Sequence, residues 1–211
     1  MTSETPKRGS YAVGRERRER ILDAASARFE TSGYSHTSIA EIARDVGLTA
    51  PGVTHHFPTK QHLLLAIVER RFDVAAQVAE AADGELDGTR TLRLLQSLSE
   101  MFVSQPGLMQ LFVLVSGEAA DPSSPAHALF TQRYERVVAE IAALFTAEAE
   151  AGALRADVDY RALARECIAV SDGLQLQWVL SGGTIDLAAL SRAYLDRVAP
   201  TITPVRRGSA P

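Results

Sequence analysis

The sequence predicts an all-α protein of about nine helices, a three-helix N-terminal module followed by a larger helical body, and three observations carry that expectation. Apolar residues recur at helical spacing along nearly the whole chain. No stretch alternates in the manner of a half-buried strand, and Gly- and Pro-bearing breakers stand at the intervals short helices need. Of 211 residues, 46% are hydrophobic and 6% aromatic, enough apolar material for a sizeable core.

Residues 1–14 are polar, with Pro6, Gly9 and Gly14, and read as a flexible arm. From Arg15, the spacing of Ile21, Leu22, Ala25 and Phe29 predicts a first helix that stops at Gly33. Thr37 and Ser38 supply the next cap, with Glu41 three residues after Ser38 as a capping box, and Ile39, Ile42, Ala43 and Val46 form the apolar face of a second helix ending near Gly47. Thr49 caps a third helix, in which Pro51 falls in the first turn and gives up a donor that has no intrahelical partner anyway. Phe57-Pro58 breaks that helix early, and Thr59 caps a long fourth helix through about Ala82. Beyond the GELDG turn, helices are expected at about 89–104, 107–118, 125–151, 159–181 and 186–199. A polar tail is expected over 201–211, so the predicted organisation is arm 1–14, helix-turn-helix unit 15–60, body 61–200 and tail.

The formal charge of -4 argues against a generic polyanion binder, but the charge is unevenly placed: residues 1–60 hold nine Lys or Arg against seven Asp or Glu, the remainder thirteen against nineteen. Cys167 is the only cysteine, so an intrachain disulfide is excluded and a reducing cytoplasm fits best. The N-terminus lacks an apolar signal core, and the run Leu63 to Val68 is far short of a membrane span, so no membrane association is expected.

Helices two and three, joined around Val46-Gly47-Leu48, form a helix-turn-helix, in which one helix braces on the phosphate backbone while the next enters the major groove. The string RILDAASARFETSGYSHTSIAEIARDVGLTAPGVTHHFPTKQHLLLAIV resembles the DNA-binding domain of TetR-family transcriptional regulators, through Gly33-Tyr34, Thr37-Ser38, Ile42-Ala43, Gly47-Leu48-Thr49, His56-Phe57 and Lys60. The resemblance implies that the exposed face of helix three reads DNA; here that face presents Thr49, Ala50, Pro51, Gly52, Thr54 and His55. Small side chains let a helix backbone approach base edges closely, with Ala50, Pro51 and the Thr54 methyl suited to thymine methyls. Val53 and Phe57 should point inward against Ile21, Phe29 and Ile42. Thr37, Ser38, Arg44, His55 and Lys60 are the candidate phosphate contacts. The chain departs from the family at Thr54, where a tyrosine is common, so operator sequence does not carry over from relatives. The run Arg15, Arg17, Arg18, Arg20, interleaved with Glu16 and Glu19, admits two readings, a solvated helix face or a DNA-touching patch. His55 and His56, about 100° apart on a helix, cannot easily share a metal, and no metal or cofactor is expected.

The body shows no nucleophile elbow, glycine-rich phosphate loop or ligand-spaced Cys/His cluster, so no catalytic residue is assigned and the chain is not read as an enzyme. In MFVSQPGLMQLFVLVSGEA, methionines and phenylalanines flank a Pro106-Gly107 break. Adaptable side chains and a broken helix suit a cavity that opens around a ligand, and in the family a small-molecule effector sits in this part of the body. Met101, Phe102, Met109, Phe112, Tyr134 and Trp178 are therefore candidate pocket residues, against the alternative that they are ordinary core. Helix eight carries Leu163, Cys167, Val170, Leu174 and Trp178 on one stripe and Ile168, Leu176, Val179 and Leu180 elsewhere, so it needs two burial partners. By the family's habit the second is the same helix of another chain, giving a homodimer through helices near 159–181 and 186–199, with Leu187, Leu190, Tyr194 and Val198 on helix nine. The expected function is a ligand-responsive, dimeric repressor released from a palindromic, double-stranded DNA operator by an effector. The competing readings are an activator, a helical ligand-binding protein or enzyme without regulatory DNA binding, and a purely structural DNA binder.

Overall fold

The computed structural model describes the backbone of residues 8–81 and 86–204 and the side chains of 13–71 and 86–204. Within these, every regular element is a helix: α1 (Arg8–Ser32), α2 (Ile39–Asp45), α3 (Ala50–Thr54), α4 (Lys60–Ala81), α5 (Arg90–Val103), α6 (Pro106–Glu118), α7 (Pro125–Glu150), α8 (Tyr160–Leu180) and α9 (Leu187–Ile202). They divide into two units, Met1–Phe72 and Asp73–Pro211.

The N-terminal unit closes on the apolar positions that the periodicity picks out: Ile21, Leu22, Ala25, Phe29, Ile42, Ala43, Val53 and Phe57 are all buried. Leu63, Leu64, Ile67 and Val68 are buried too, so the first half of α4 belongs with this unit rather than with the body. Ile39 is only half-buried. α1 starts at Arg8, seven residues before the expected Arg15: extending a helix adds one hydrogen bond per residue ordered, and no proline follows Pro6 to stop it. The rest of the expected arm, residues 1–7, lies outside the described residues.

The body is built on α7, α8 and α9 around Val138, Ile141, Phe145, Tyr160, Ala164, Cys167, Leu195 and Ile202. The Phe145 and Tyr160 rings stack at 5.6 Å. α9 passes the expected end at 199 and includes Pro200. A proline there forfeits its own N–H bond and crowds the carbonyl four residues back. The end is held by other means: the Arg155 amide donates to the Ile202 carbonyl at 2.8 Å, the Arg155 guanidinium to that of Thr201, and Ile202 itself is 1% exposed. The tail thus begins later than expected, and residues 205–211 lie outside the described residues.

α5 starts without a side-chain cap from Thr89. Its first amides are met instead from α7: the buried Glu148 carboxylate accepts from the Arg90 amide (3.2 Å), the Thr91 amide (3.0 Å) and the Thr91 hydroxyl (2.6 Å). Gly88, at φ +81°, lets the preceding loop pass the Ala153 carbonyl, where a Cβ would lie 2.8 Å from the oxygen. α5 and α6 meet at a 101° bend across Ser104 and Gln105. Among the described residues, no single helix is long and apolar enough to cross a membrane, and no cluster of metal-ligating side chains occurs.

Candidate nucleic-acid interface

α2 and α3 are joined by a turn whose hydrogen bonds explain its shortness. Gly47, at φ +68°, closes α2 by donating to the Arg44 carbonyl at 3.2 Å while Leu48 donates to that of Ala43 at 2.8 Å. The Arg20 guanidinium adds a third donor at the Val46 carbonyl (3.2 Å). At the other end, Ser38 and Glu41 form the expected capping box, with Glu41 accepting from both the Ser38 amide (2.8 Å) and hydroxyl (2.7 Å). Arg28 of α1 makes a two-point contact with Asp45 and reaches Glu41 at 3.7 Å, fixing the outer edge of α2. These partners hold the Glu41 and Asp45 carboxyls below the ordinary carboxylate range: hydrogen bonding from Ser38 is the main cause for the first and from Arg28 for the second.

α3 is five residues long, capped by Thr49, whose hydroxyl oxygen accepts from the Gly52 amide at 3.2 Å. Val53 is fully buried and Phe57 nearly so, which commits one side of this turn to the core and turns the other outward. Thr49, Pro51, Thr54 and His55 are exposed, Ala50 and Gly52 half-buried, and the Thr54 hydroxyl donates back to the Pro51 carbonyl at 3.3 Å. The helix thus offers the small surface expected of it. A Cβ on Gly52 would stand 3.3 Å from the Thr49 hydroxyl, so the glycine also leaves room for the cap.

The candidate phosphate contacts are not equivalent. Arg44 and His55 are exposed. Ser38 is exposed, with its hydroxyl proton engaged by Glu41. Thr37 departs from the expected role: its side chain is buried and its one hydroxyl proton goes to the Gly33 carbonyl at 3.0 Å, leaving none for a phosphate. Lys60 is half-buried and folded onto the α1–α2 corner, its ammonium donating to the Tyr34 carbonyl (2.9 Å) and the Thr37 carbonyl (3.0 Å) and lying 4.3 Å from the Tyr34 ring centroid. Of the basic run, Arg18 lies over the Phe57 ring at 4.9 Å and Arg20 on the α2 turn, while Arg15 and Arg17 remain exposed. Burial holds the His56 imidazole below its ordinary value, with smaller contributions from His55, Arg17 and Arg18.

The six candidate pocket residues fall into two groups in the body. Met101, Phe102, Met109 and Trp178 pack with Leu174 and Leu187 in a small apolar cluster. Phe112 and Tyr134 join Phe130, stacked on Phe112 at 5.6 Å, together with Arg133 and Asp172. Sequence reading passed over Phe130, Arg133 and Asp172, although 130, 133 and 134 share the i, i+3, i+4 spacing of one helix face. A surface groove of about 580 Å³ along α7 and the α7–α8 loop, lined by Ala142, Thr146, Tyr160 and Arg161 among others, contains none of the six.

A chain whose described elements are all helices, with a groove-sized helix on a helix-turn-helix in one unit and a second helical unit following it in sequence, is of the class of DNA-binding transcription regulators. Residues 21–67 match the profile of the bacterial regulatory proteins of the tetR family, and residues 93–200 match that of the C-terminal domain of BetI-type transcriptional repressors. The second match spans about half of the sequence, and the chain belongs to the TetR family of ligand-responsive transcriptional regulators. The HTH-type transcriptional repressor KstR2 of Rhodococcus jostii is 26% identical over 200 residues, covering 86% of this chain and 89% of the relative. A TetR transcription regulator from Haloarcula marismortui shares the fold, with a TM-score of 0.75 at 23% identity over 90% of this chain and 99% of that one. A transcriptional regulator from Saccharomonospora viridis, solved in complex with choline, gives 0.72 at 26% identity over the same shares.

Proposed function

We propose that the chain is a homodimeric repressor in the cytoplasm that holds a palindromic operator with one α3 from each subunit and releases it when a small molecule binds the body. The observation that carries the DNA-reading half is α3 itself, a capped five-residue helix with Val53 and Phe57 turned in and only small or polar groups turned out. Ala50, Pro51 and Thr54 face base edges, and Arg44, Thr49, Ser38 and His55 sit at phosphates, which set register and supply the salt dependence. Thr37 and Lys60 hold the corner from which α2 springs. The body binds and does not catalyse. The match to the C-terminal domain of BetI-type repressors and the likeness to the repressor KstR2 favour repression; activation differs only in where the operator lies.

The dimer reading rests on α8 and α9. Leu176 and Leu180 of α8 and Leu190 of α9 are exposed, at 44%, 77% and 43%. Around them stand Ala169, Gly173 and Ala193, and a Cβ built on Gly173 meets nothing within 4 Å. Such a surface, apolar and able to approach another helix closely, suits the same face of a second copy. Effector binding then has a route to the DNA in α4, one continuous helix that begins in the first unit and ends in the second. Release needs a differential affinity between the two states of about a few kcal/mol.

Electrophoretic mobility shift against duplexes from the chain's own promoter region, repeated across salt, tests this reading. Binding to a palindromic subset with a log–log salt slope of about -0.9 per phosphate contacted is expected. Thr54→Ser should change which sequences are preferred, whereas Arg44→Ala should weaken all alike. Indifference to every duplex at low salt refutes the proposal.

A further inference from the structure

Among the described residues of the body stands a partly buried polar cluster that the DNA-reading role does not use. Where α6, α7 and α8 come together, the Tyr134 hydroxyl donates to the Asp172 carboxylate at 2.5 Å, and the Arg133 guanidinium stands 5.9 Å from the centroids of both the Phe112 and Tyr134 rings. Phe112 and Phe130, stacked beneath it, are 3% exposed each, whereas Arg133, Tyr134 and Asp172 keep part of their surface open. The cluster therefore has an apolar floor and an accessible polar rim. Burial lowers the Arg133 pKa, and the nearby Asp172 offsets that only in part; it also raises the Tyr134 phenol, so the hydroxyl stays a donor. A half-buried arginine, tyrosine and carboxylate together are seldom a better core than apolar side chains of similar size, which favours a ligand-reading role for them.

We propose that this cluster is where the effector is recognised, and that the effector is an apolar molecule carrying one carboxylate, which Arg133 receives in exchange for Asp172. The inference rests on the body being an effector-binding unit and adds the ligand's chemical class. A guanidinium takes a carboxylate through two parallel hydrogen bonds, and the aromatic floor takes the apolar remainder. Asp172, which accepts from the Tyr134 hydroxyl, is the nearby carboxylate whose charge favours the Arg133 cation. A cationic ligand is disfavoured, because the guanidinium already lies near the aromatic faces that a quaternary ammonium group needs.

Isothermal titration of the full chain with octanoate, octanol and octyltrimethylammonium decides the matter. Octanoate should bind, with octanol and the cation each at least about tenfold weaker, the cost of losing a charge-assisted hydrogen bond. Arg133→Met should remove that preference, and Asp172→Asn, which deletes the competing carboxylate, should tighten octanoate. Circular dichroism and thermal unfolding check that both variants fold. Tighter binding of the cation, weakened by Asp172→Asn, would assign recognition to Asp172 and overturn the proposal, as would equal octanoate binding by wild type and Arg133→Met or no binding of any probe. Operator affinity measured with and without octanoate is a separate readout. Octanoate that binds through Arg133 yet leaves operator affinity unchanged sinks the effector-release reading while the assignment of the cluster stands.

Discussion

A single ammonium closes the reading segment on itself. Lys60 reaches back 26 residues to the Tyr34 carbonyl and 23 to that of Thr37, so everything between, α2, the Gly47 turn and α3, is a loop pinned at its base. The sequence makes this lysine a candidate phosphate contact, and salt separates the two roles. In Lys60→Met, loss of a phosphate contact lowers the magnitude of the log–log salt slope by about 0.9. Loss of the clasp weakens operator binding with the slope unchanged and destabilises the N-terminal unit by roughly 1–3 kcal/mol, the cost of leaving buried polar groups unmet. We expect the second outcome, read by fluorescence anisotropy across salt and by thermal unfolding. His56 gives a second residue-scale prediction. Its folded pKa lies below the ordinary histidine value, so the stability it contributes is fully present above about pH 6.5 and is lost as pH falls through the folded value. Urea midpoints from pH 8 to pH 5 should fall further for wild type than for His56→Gln.

At the scale of elements, local signals were the readable ones. The capping box at Ser38, the Thr49 cap, Pro51 in a first turn and the Gly47 stop all act within four residues, and each stands in the structure where the sequence placed it. What escaped reading acts across long separations. Nothing near Thr89 announces that α5 is capped by Glu148, a glutamate 57 residues from Thr91 and on another helix; one acid among several in an Ala-rich helix reads as solvated. Thr37 escaped similarly, since a threonine beside a cap looks available until the fold buries it, and α9 outran Pro200 because Arg155, far off in sequence, meets its last carbonyls. The exposed face of α3 was therefore legible, being one short helix, whereas the Arg133–Asp172 cluster depends on which faces of α6, α7 and α8 meet. The capping role is testable. Glu148→Ala leaves the α5 amides and the Thr91 hydroxyl unmet inside the body, and should cost roughly 2–3 kcal/mol of stability by chemical denaturation. A loss under about 0.5 kcal/mol, usual for a surface change, would show that water replaces the carboxylate.

At the scale of the whole molecule, the proposed dimer asks α8 to serve two cores. Its Leu163, Ala164 and Cys167 close the body; burial raises the Cys167 thiol to about 11, so this cysteine is a packed hydrophobe and not a reactive one. Its Leu176 and Leu180 are exposed, and fully burying a leucine that starts exposed is worth about 1.5–3 kcal/mol, less for the half-covered Leu176. A charge placed there would enter the interface desolvated and, by the two-fold symmetry, opposite its own copy. The double change Leu176→Glu with Leu180→Glu should therefore leave the single chain folded, because both positions are exposed in it, and shift sedimentation from dimer to monomer. DNA binding must follow. One α3 in place of two makes about half the phosphate contacts, so the log–log salt slope should fall by about half, and preference for a palindrome over a single half-site should disappear. Retained dimers with undiminished operator affinity would move the interface off α8 and take with it the two-headed account of operator recognition.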